Sequence, residues 1–286
     1  MSSTPGRVIK KNRWFYKWKV LFAILMASFL PQEVHAHKAA PPPDIETASD
    51  KYKLRFASKT GKWFLDEQIS GLLSMLDRWE TASILDVGGG HGQYTEQLVK
   101  RGYSVNILGS SIEANTQVLD LITSDCCRYI VGDFSRFPFP DKSFDIVISF
   151  RLMTHLDNWE SFIAESSRVA KHAVVIDFPV LHSLNVTYPL LFKLKRKLEG
   201  NSTRPFNVFD EKKVLESFRD AGFSPTSRYA QYFFPMVFHR VLNSSKISKG
   251  IEKICRSLTL TDHYGSPVIL RAEPKLDVQK KFSNKA

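Results

Sequence analysis

The chain has 286 residues, 43% of them hydrophobic and 24% charged, with a formal net charge of +11. That length suits one large domain or two small ones, and the composition suits a packed core, which excludes a fibre or a chain disordered over most of its length. No apolar run reaches the roughly 20 residues a spanning helix needs, so a polytopic membrane protein is excluded. The three cysteines, Cys126, Cys127 and Cys255, make neither a disulfide framework nor a C-x-x-C pair.

Residues 1–36 form a leader. Positions 7–19 are basic and aromatic, and positions 20–30 (VLFAILMASFL) are an 11-residue apolar run stopped by Pro31 and followed by Val34-His35-Ala36. This pattern reads as a secretory signal peptide or as an interfacial membrane anchor, and a start at Met26 is the third reading. Residues 37–50, with three consecutive prolines and no apolar period, read as a linker. The leader holds six basic residues against Glu33 alone, and residues 180–260 hold 14 against 6 acidic. These charges have no regular interleaving with aromatics, so no nucleic-acid partner is expected. An anionic membrane surface or an anionic substrate fits them as well.

The folded domain is expected over 51–273, with a charged tail over 274–286. Leu65, Ile69, Leu72, Leu73 and Leu76 predict a helix over 64–77. Residues 83–87 (SILDV) are a short strand, followed by a glycine cluster and a helix carrying Tyr94, Leu98 and Val99. Strands are predicted at 104–108, 128–131, 144–149 and 173–177, with helices over 112–122 and 159–169 between them. This alternation of strand and helix predicts an α/β fold, a Rossmann-like three-layer sandwich with a mostly parallel central sheet and helices on both faces. The cofactor-binding core is expected over 80–178 and a substrate-shaping part over 179–273. In the latter, Val214, Leu215 and Phe218 mark a helix ended by Gly222, residues 232–238 are strongly aromatic, and 267–271 read as a last strand.

Chemistry is concentrated at Asp86-x-Gly88-x-Gly90-x-Gly92, between the first strand and the next helix. Glycines let the backbone turn sharply and approach a ligand without a Cβ in the way. A helix start offers N–H groups to an anion, and the carboxyl ends of parallel strands are where open α/β sheets bind ligands. No Gly-Lys-Ser or Gly-Lys-Thr follows, so this is not a nucleotide-phosphate loop.

The tract from Ile84 to Gly92 resembles the first motif of class I S-adenosylmethionine-dependent methyltransferases. Gly132-Asp133-Phe134 is similar to that family's adenine-contacting acidic loop. Residues 138–147 (PFPDKSFDIV) and the Glu165-x-x-Arg168 pair resemble the elements around its fourth strand. Together they resemble the type-11, small-molecule branch over about residues 80–178. The resemblance implies S-adenosyl-L-methionine as cofactor, with Gly88, Gly90 and Gly92 lining its methionine part. Asp86 would hold the loop and the amino group. Asp133 would accept from the adenine amino group, with Phe134 against the ring. It implies a small-molecule methyl acceptor and no metal.

One departure stands out. Where the family usually has an acidic residue for the ribose hydroxyls, this chain has Gly109, with Ser110 next to it. Ser110 cannot bridge two hydroxyls, and a lost charge-assisted bond costs about 1.5–3 kcal/mol. Restoring the acid, Gly109→Asp, is therefore expected to tighten cofactor binding. His155, just after the fourth strand, is the candidate general base. A cluster of Lys193, Lys195, Arg196 and Lys197, with the 232–238 aromatics, suggests an anionic or lipid-like acceptor. The leading function is methyl transfer. The alternatives are a catalytically inactive binding protein that keeps the fold and an NAD-dependent oxidoreductase. S-adenosylmethionine is made in the cytosol, so the catalytic domain is expected on the cytoplasmic side, with membrane contact through the N-terminus. Secretion is the alternative.

Overall fold

The computed structural model describes residues 42–184 and 207–275. The leader, residues 37–41, the basic cluster at 193–197 and the tail beyond 275 lie outside the described residues.

Five strands run parallel: β1 (Ser83–Val87), β2 (Ser104–Gly109), β3 (Cys127–Val131), β4 (Phe144–Ser149) and β5 (Ala170–Phe178). Two more, β6 (Phe223–Ala230) and β7 (Val268–Pro274), complete a seven-stranded sheet in the order β3-β2-β1-β4-β5-β7-β6. β7 is antiparallel to both its neighbours. The expected α/β sandwich with a mostly parallel sheet is what the chain forms.

The strands read as continuous apolar runs because both sheet faces are covered. Leu85, Val87 and Val147 face a core shared with α6 (Trp159–Val169) and α7 (Glu211–Asp220), through Phe162, Val214 and Phe218. Ile84, Ile146 and Ile148 face the other layer, with Leu72 and Met75 of α3 (Lys59–Met75) and Leu98 of α4 (Thr95–Val99). Side-chain caps start two of these helices: Ser58 accepts from Gly61 N, and Asp210 from Lys212 N. The chain leaves β1 toward β2 and β3, then returns to β4 and β5 on the other side. That reversal makes the carboxyl ends of β1 and β4 the switch point at which open α/β sheets take ligands.

The Glu165-x-x-Arg168 pair holds the approach to β4. Glu165 Oε2 accepts from Phe137 N at 2.7 Å, and Arg168 Nη1 donates to Phe139 O and Asp141 Oδ1, both at 2.8 Å. Asp145 joins the starts of β1 and β4 by accepting from Ser83 N at 2.8 Å and Ser83 Oγ at 2.7 Å.

Several elements differ from expectation. Residues 43–54 span most of the expected linker's end, yet form α1 (Pro43–Thr47) and α2 (Asp50–Leu54). Helices of five residues are too short to be stable alone or to show a period, and these form by docking on the domain. The helix predicted over 112–122 breaks into a 3-10 turn (Ile112–Asn115) and α5 (Leu119–Thr123). β6, α9 (Ser245–Ser257) and α10 (Leu260–Tyr264) carry no pattern that the sequence reading picked out, and α8 (Met236–Leu242) starts inside the aromatic tract at 232–238.

Of the 232–238 aromatics, Tyr232 and Phe238 are buried, while Phe233 and Phe234 are half-buried. Tyr232 is buried with Phe56, Trp63 and Phe64, and its hydroxyl donates to Phe64 O at 3.0 Å. Glu252 accepts from Phe233 N and Phe234 N at 2.8 and 2.9 Å and lies 2.8 Å from His239 Nε2. Among the described residues no helix is long and apolar enough to cross a membrane.

Candidate active site

β1 ends in a turn that only glycines make without strain. Gly88 and Gly92 have φ of 77° and 68°, on either side of a 3-10 turn over Gly89–His91. α4 begins only at Thr95, three residues beyond Gly92, so the turn itself, more than a helix start, shapes this rim. The loop is tied down by Gly88 N donating to Leu108 O at 2.8 Å. His91 is buried edge-on against Tyr94. Its Nδ1 accepts from Gln93 N at 3.2 Å, and burial pushes its pKa well below the usual histidine range. It is a neutral part of the loop.

Asp86 lies beneath this turn, 1% exposed. Oδ2 accepts from Thr95 Oγ1 at 3.3 Å, while Oδ1 has no partner among the described residues. Burial raises its pKa to about 7, against the opposing pull of Thr95 and of the Arg151 charge.

Arg151, which the sequence pattern did not single out, stands beside the glycine turn through its bond to Gln93. It follows β4 by two residues, with a left-handed φ of 60°, and its backbone N donates to Asp177 Oδ1 at 2.6 Å. Asp177, at the end of β5, also accepts from Gln68 Nε2 at 3.0 Å, and Gln68 Oε1 accepts from Tyr94 Oη at 2.6 Å. Burial raises the Asp177 pKa to about 6. The Arg151 guanidinium sits 5.5, 4.9 and 5.3 Å from the ring centres of Tyr52, Phe56 and Tyr94. Nη2 donates to Gln93 Oε1, but Nε and Nη1 are buried atoms with no hydrogen-bond partner among the described residues. Asp177 and Tyr52 favour the charge of this half-buried side chain, and its buried donor atoms are costly unless a ligand completes them. The available signal was positional: a lone arginine just past the carboxyl end of a central parallel strand.

At the end of β2, a Cβ on Gly109 would stand 1.8 Å from Tyr129 Oη. That hydroxyl donates to Ser111 O at 2.8 Å. The expected benefit of Gly109→Asp is therefore opposed, because the tyrosine fills the space a carboxylate would need. Ser110 is engaged: its N and Oγ donate to Asp44 Oδ2 and Oδ1 at 2.7 and 2.6 Å. Asp44 belongs to α1, in the stretch expected to be a linker.

Asp133, after β3, is exposed, and its Oδ1 accepts from Ser135 N and Ser135 Oγ, both at 2.8 Å. Those bonds hold its pKa below the ordinary carboxylate value. Phe134, which the resemblance implies lies against the adenine ring, is buried in the core with Leu85 and Leu108. His155 lies in a 3-10 turn over Met153–His155, half-buried, where Thr154 Oγ1 donates to Asn207 O at 2.8 Å. The glycine turn, Asp86, Ser110, Asp133 and His155 thus all stand at the carboxyl edge of the parallel strands.

Residues 85–176 match the Methyltransferase domain family. A sterol 24-C-methyltransferase of Gibberella zeae is 33% identical over 97 residues, 31% of this chain and 24% of that protein. A demethylmenaquinone methyltransferase of Tropheryma whipplei is 30% identical over 95 residues, 31% of this chain and 37% of that protein. The alignments thus span well under half the length of these curated relatives. Among solved structures, a chain of the complex between the Haloferax volcanii Trm112 methyltransferase activator and a methyltransferase superposes with a TM-score of 0.55 at 16% identity. It covers 82% of this chain and 99% of that one. The magnesium protoporphyrin IX methyltransferase of Synechocystis, solved with S-adenosylhomocysteine bound, gives 0.51 at 14% identity, over 91% and 97% of the two chains.

Proposed function

We propose that this chain, which carries a class I S-adenosylmethionine-dependent methyltransferase domain, transfers a methyl group to a small-molecule acceptor at the switch point between β1 and β4. One observation carries the reading. Among the described residues, Asp86 Oδ1 at the glycine turn is a buried acceptor with no hydrogen-bond partner, and Arg151 Nε and Nη1 are buried donors with none. The amino-acid end of the cofactor has an ammonium and a carboxylate. A carboxylate and a guanidinium at one turn are its chemical complement.

In this reading Asp86 holds the ammonium and Arg151 the carboxylate, and Gly88, Gly90 and Gly92 let the backbone approach. Asp133 accepts from the adenine amino group, and Phe134 supports its loop from the core. The bound cofactor supplies an electrophilic methyl group, and the protein supplies position and electrostatics. His155, on the turn after β4, takes the proton of an acceptor that must lose one. The sterol and quinone acceptors in the relatives' names support a lipid-like acceptor. Cofactor supply favours a domain facing the cytoplasm, with the leader as an interfacial anchor.

Calorimetric titration of the full chain with S-adenosylhomocysteine tests the reading, with saturable binding as the expected result. Methyl transfer from labelled S-adenosylmethionine into lipid and small-molecule fractions then tests the enzyme. A second reading, a binding protein without activity, is favoured by Gly109. Binding with no transfer to any fraction would support it.

A further inference from the structure

We infer that Asp44, on the short helix before the methyltransferase domain, supplies the ribose-binding carboxylate that β2 lacks. The inference rests on the proposed cofactor site.

Position 109 carries no acid, and Tyr129 Oη stands in the space a side chain there would take. One residue further along, the structure brings a carboxylate to the same strand end from outside the strand. Asp44 is 1% exposed and accepts from both the backbone N and the Oγ of Ser110. The chain just after α1, at Ala48 and at Asp50 of α2, is tied to the segment following Ser110 at two further points. Thr116 Oγ1 donates to Ala48 O at 2.9 Å, and Gln117 Nε2 donates to Asp50 Oδ1 at 2.9 Å. α1 also packs on both 3-10 turns, the one at the glycine turn and the one after β2.

A carboxylate has about four acceptor sites, and Ser110 takes two. The remaining lone pairs suit two neighbouring hydroxyls, which is what a ribose presents. Ser110 then orients the carboxylate without contacting the ribose. This explains why a serine that cannot bridge two hydroxyls stands beside Gly109. It also gives the Pro-rich approach to the domain a function: it delivers one acidic side chain.

The test is calorimetry on the full chain with two probes, S-adenosylhomocysteine and its 2′,3′-dideoxy analogue. Asp44→Asn keeps the shape and removes the charge. It should weaken S-adenosylhomocysteine binding at least tenfold and leave affinity for the dideoxy analogue unchanged. Ser110→Ala, which only loosens the carboxylate, should give a smaller loss of the same selectivity, and it serves if Asp44→Asn does not fold. Equal or tighter S-adenosylhomocysteine binding by Asp44→Asn would overturn the proposal and mark α1 as a plug over the site. Equal losses for both probes would overturn it as well. If the wild type binds neither probe, the cofactor reading itself fails and this proposal falls with it.

Discussion

The carboxyl ends of β1 and β2 lie side by side in the sheet and are built on opposite plans. At β1 the local backbone sets the geometry: two left-handed glycines make the turn, and the side chains around it, Asp86 and Arg151, have open hydrogen-bonding capacity among the described residues. At β2 the strand offers no side chain at the decisive position, its space is filled by Tyr129, and the carboxylate arrives from α1. The difference teaches where sequence motifs hold. A backbone turn has to be written in consecutive residues. A side-chain contact can come from any segment that folds back to the same point.

The largest expected effect is at β1. Arg151→Met keeps the bulk among Tyr52, Phe56 and Tyr94 but removes the open donors. It should weaken S-adenosylhomocysteine binding about a hundredfold, roughly 2.7 kcal/mol, in a titration at pH 8. An unchanged affinity would show that the orphaned donors serve no ligand.

At β2, Gly109→Asp should destabilise the fold by about 2 kcal/mol. It must displace Tyr129 from Ser111 O and overfill a packed site. Chemical denaturation reads this directly. A variant as stable as wild type with tighter cofactor binding would mean that Tyr129 swings away at no cost and that the two strand ends are less different than described.

Asp86→Ala comes next. Loss of a buried charge-assisted contact should weaken binding at least tenfold, about 1.4 kcal/mol. Retained affinity would move the ligand's ammonium away from β1.

The smallest effect is with pH, and its sign differs between binding and stability. Burial raises the Asp86 pKa to about 7. An ammonium ligand prefers the carboxylate, so affinity should fall several-fold from pH 8 to pH 6, and Asp86→Asn should remove the dependence. For the free protein, the raised Asp86 and Asp177 pKa values make ionisation unfavourable in the fold. Their contribution to stability is fully present below the unfolded carboxylate pKa, about 3.9, and is lost as pH rises through about 6 to 7. Denaturation midpoints from pH 4 to pH 8 would show this, and a flat profile for the Asp86→Asn, Asp177→Asn double variant would assign it.

The parallel half of the sheet was legible because apolar strand, glycine turn and amphipathic helix leave local patterns. Ser83–Val87 and Phe144–Ser149 have the bounds the sequence reading gave them. The antiparallel half was less so. β6 contains a proline and a register shift at Pro225/Ser227. The 232–238 aromatics divide between buried Tyr232 and Phe238 and half-buried Phe233 and Phe234, a division that their run in the sequence does not show. In the site, Asp86 and the glycines were legible as a motif. Arg151 carried only a positional cue, and Asp44 carried none. Its role depends on a contact with Ser110 across 66 positions, and α1 lies in a tract without an apolar period.

The central claim is that the β1–β4 switch point takes the amino-acid end of S-adenosylmethionine. The most direct measurement is calorimetry of the full chain against S-adenosylhomocysteine and NAD under the same conditions. The account predicts saturable one-to-one binding of S-adenosylhomocysteine, weakened by Arg151→Met, and no binding of NAD. Binding of NAD, or S-adenosylhomocysteine binding that is indifferent to Arg151, would contradict it.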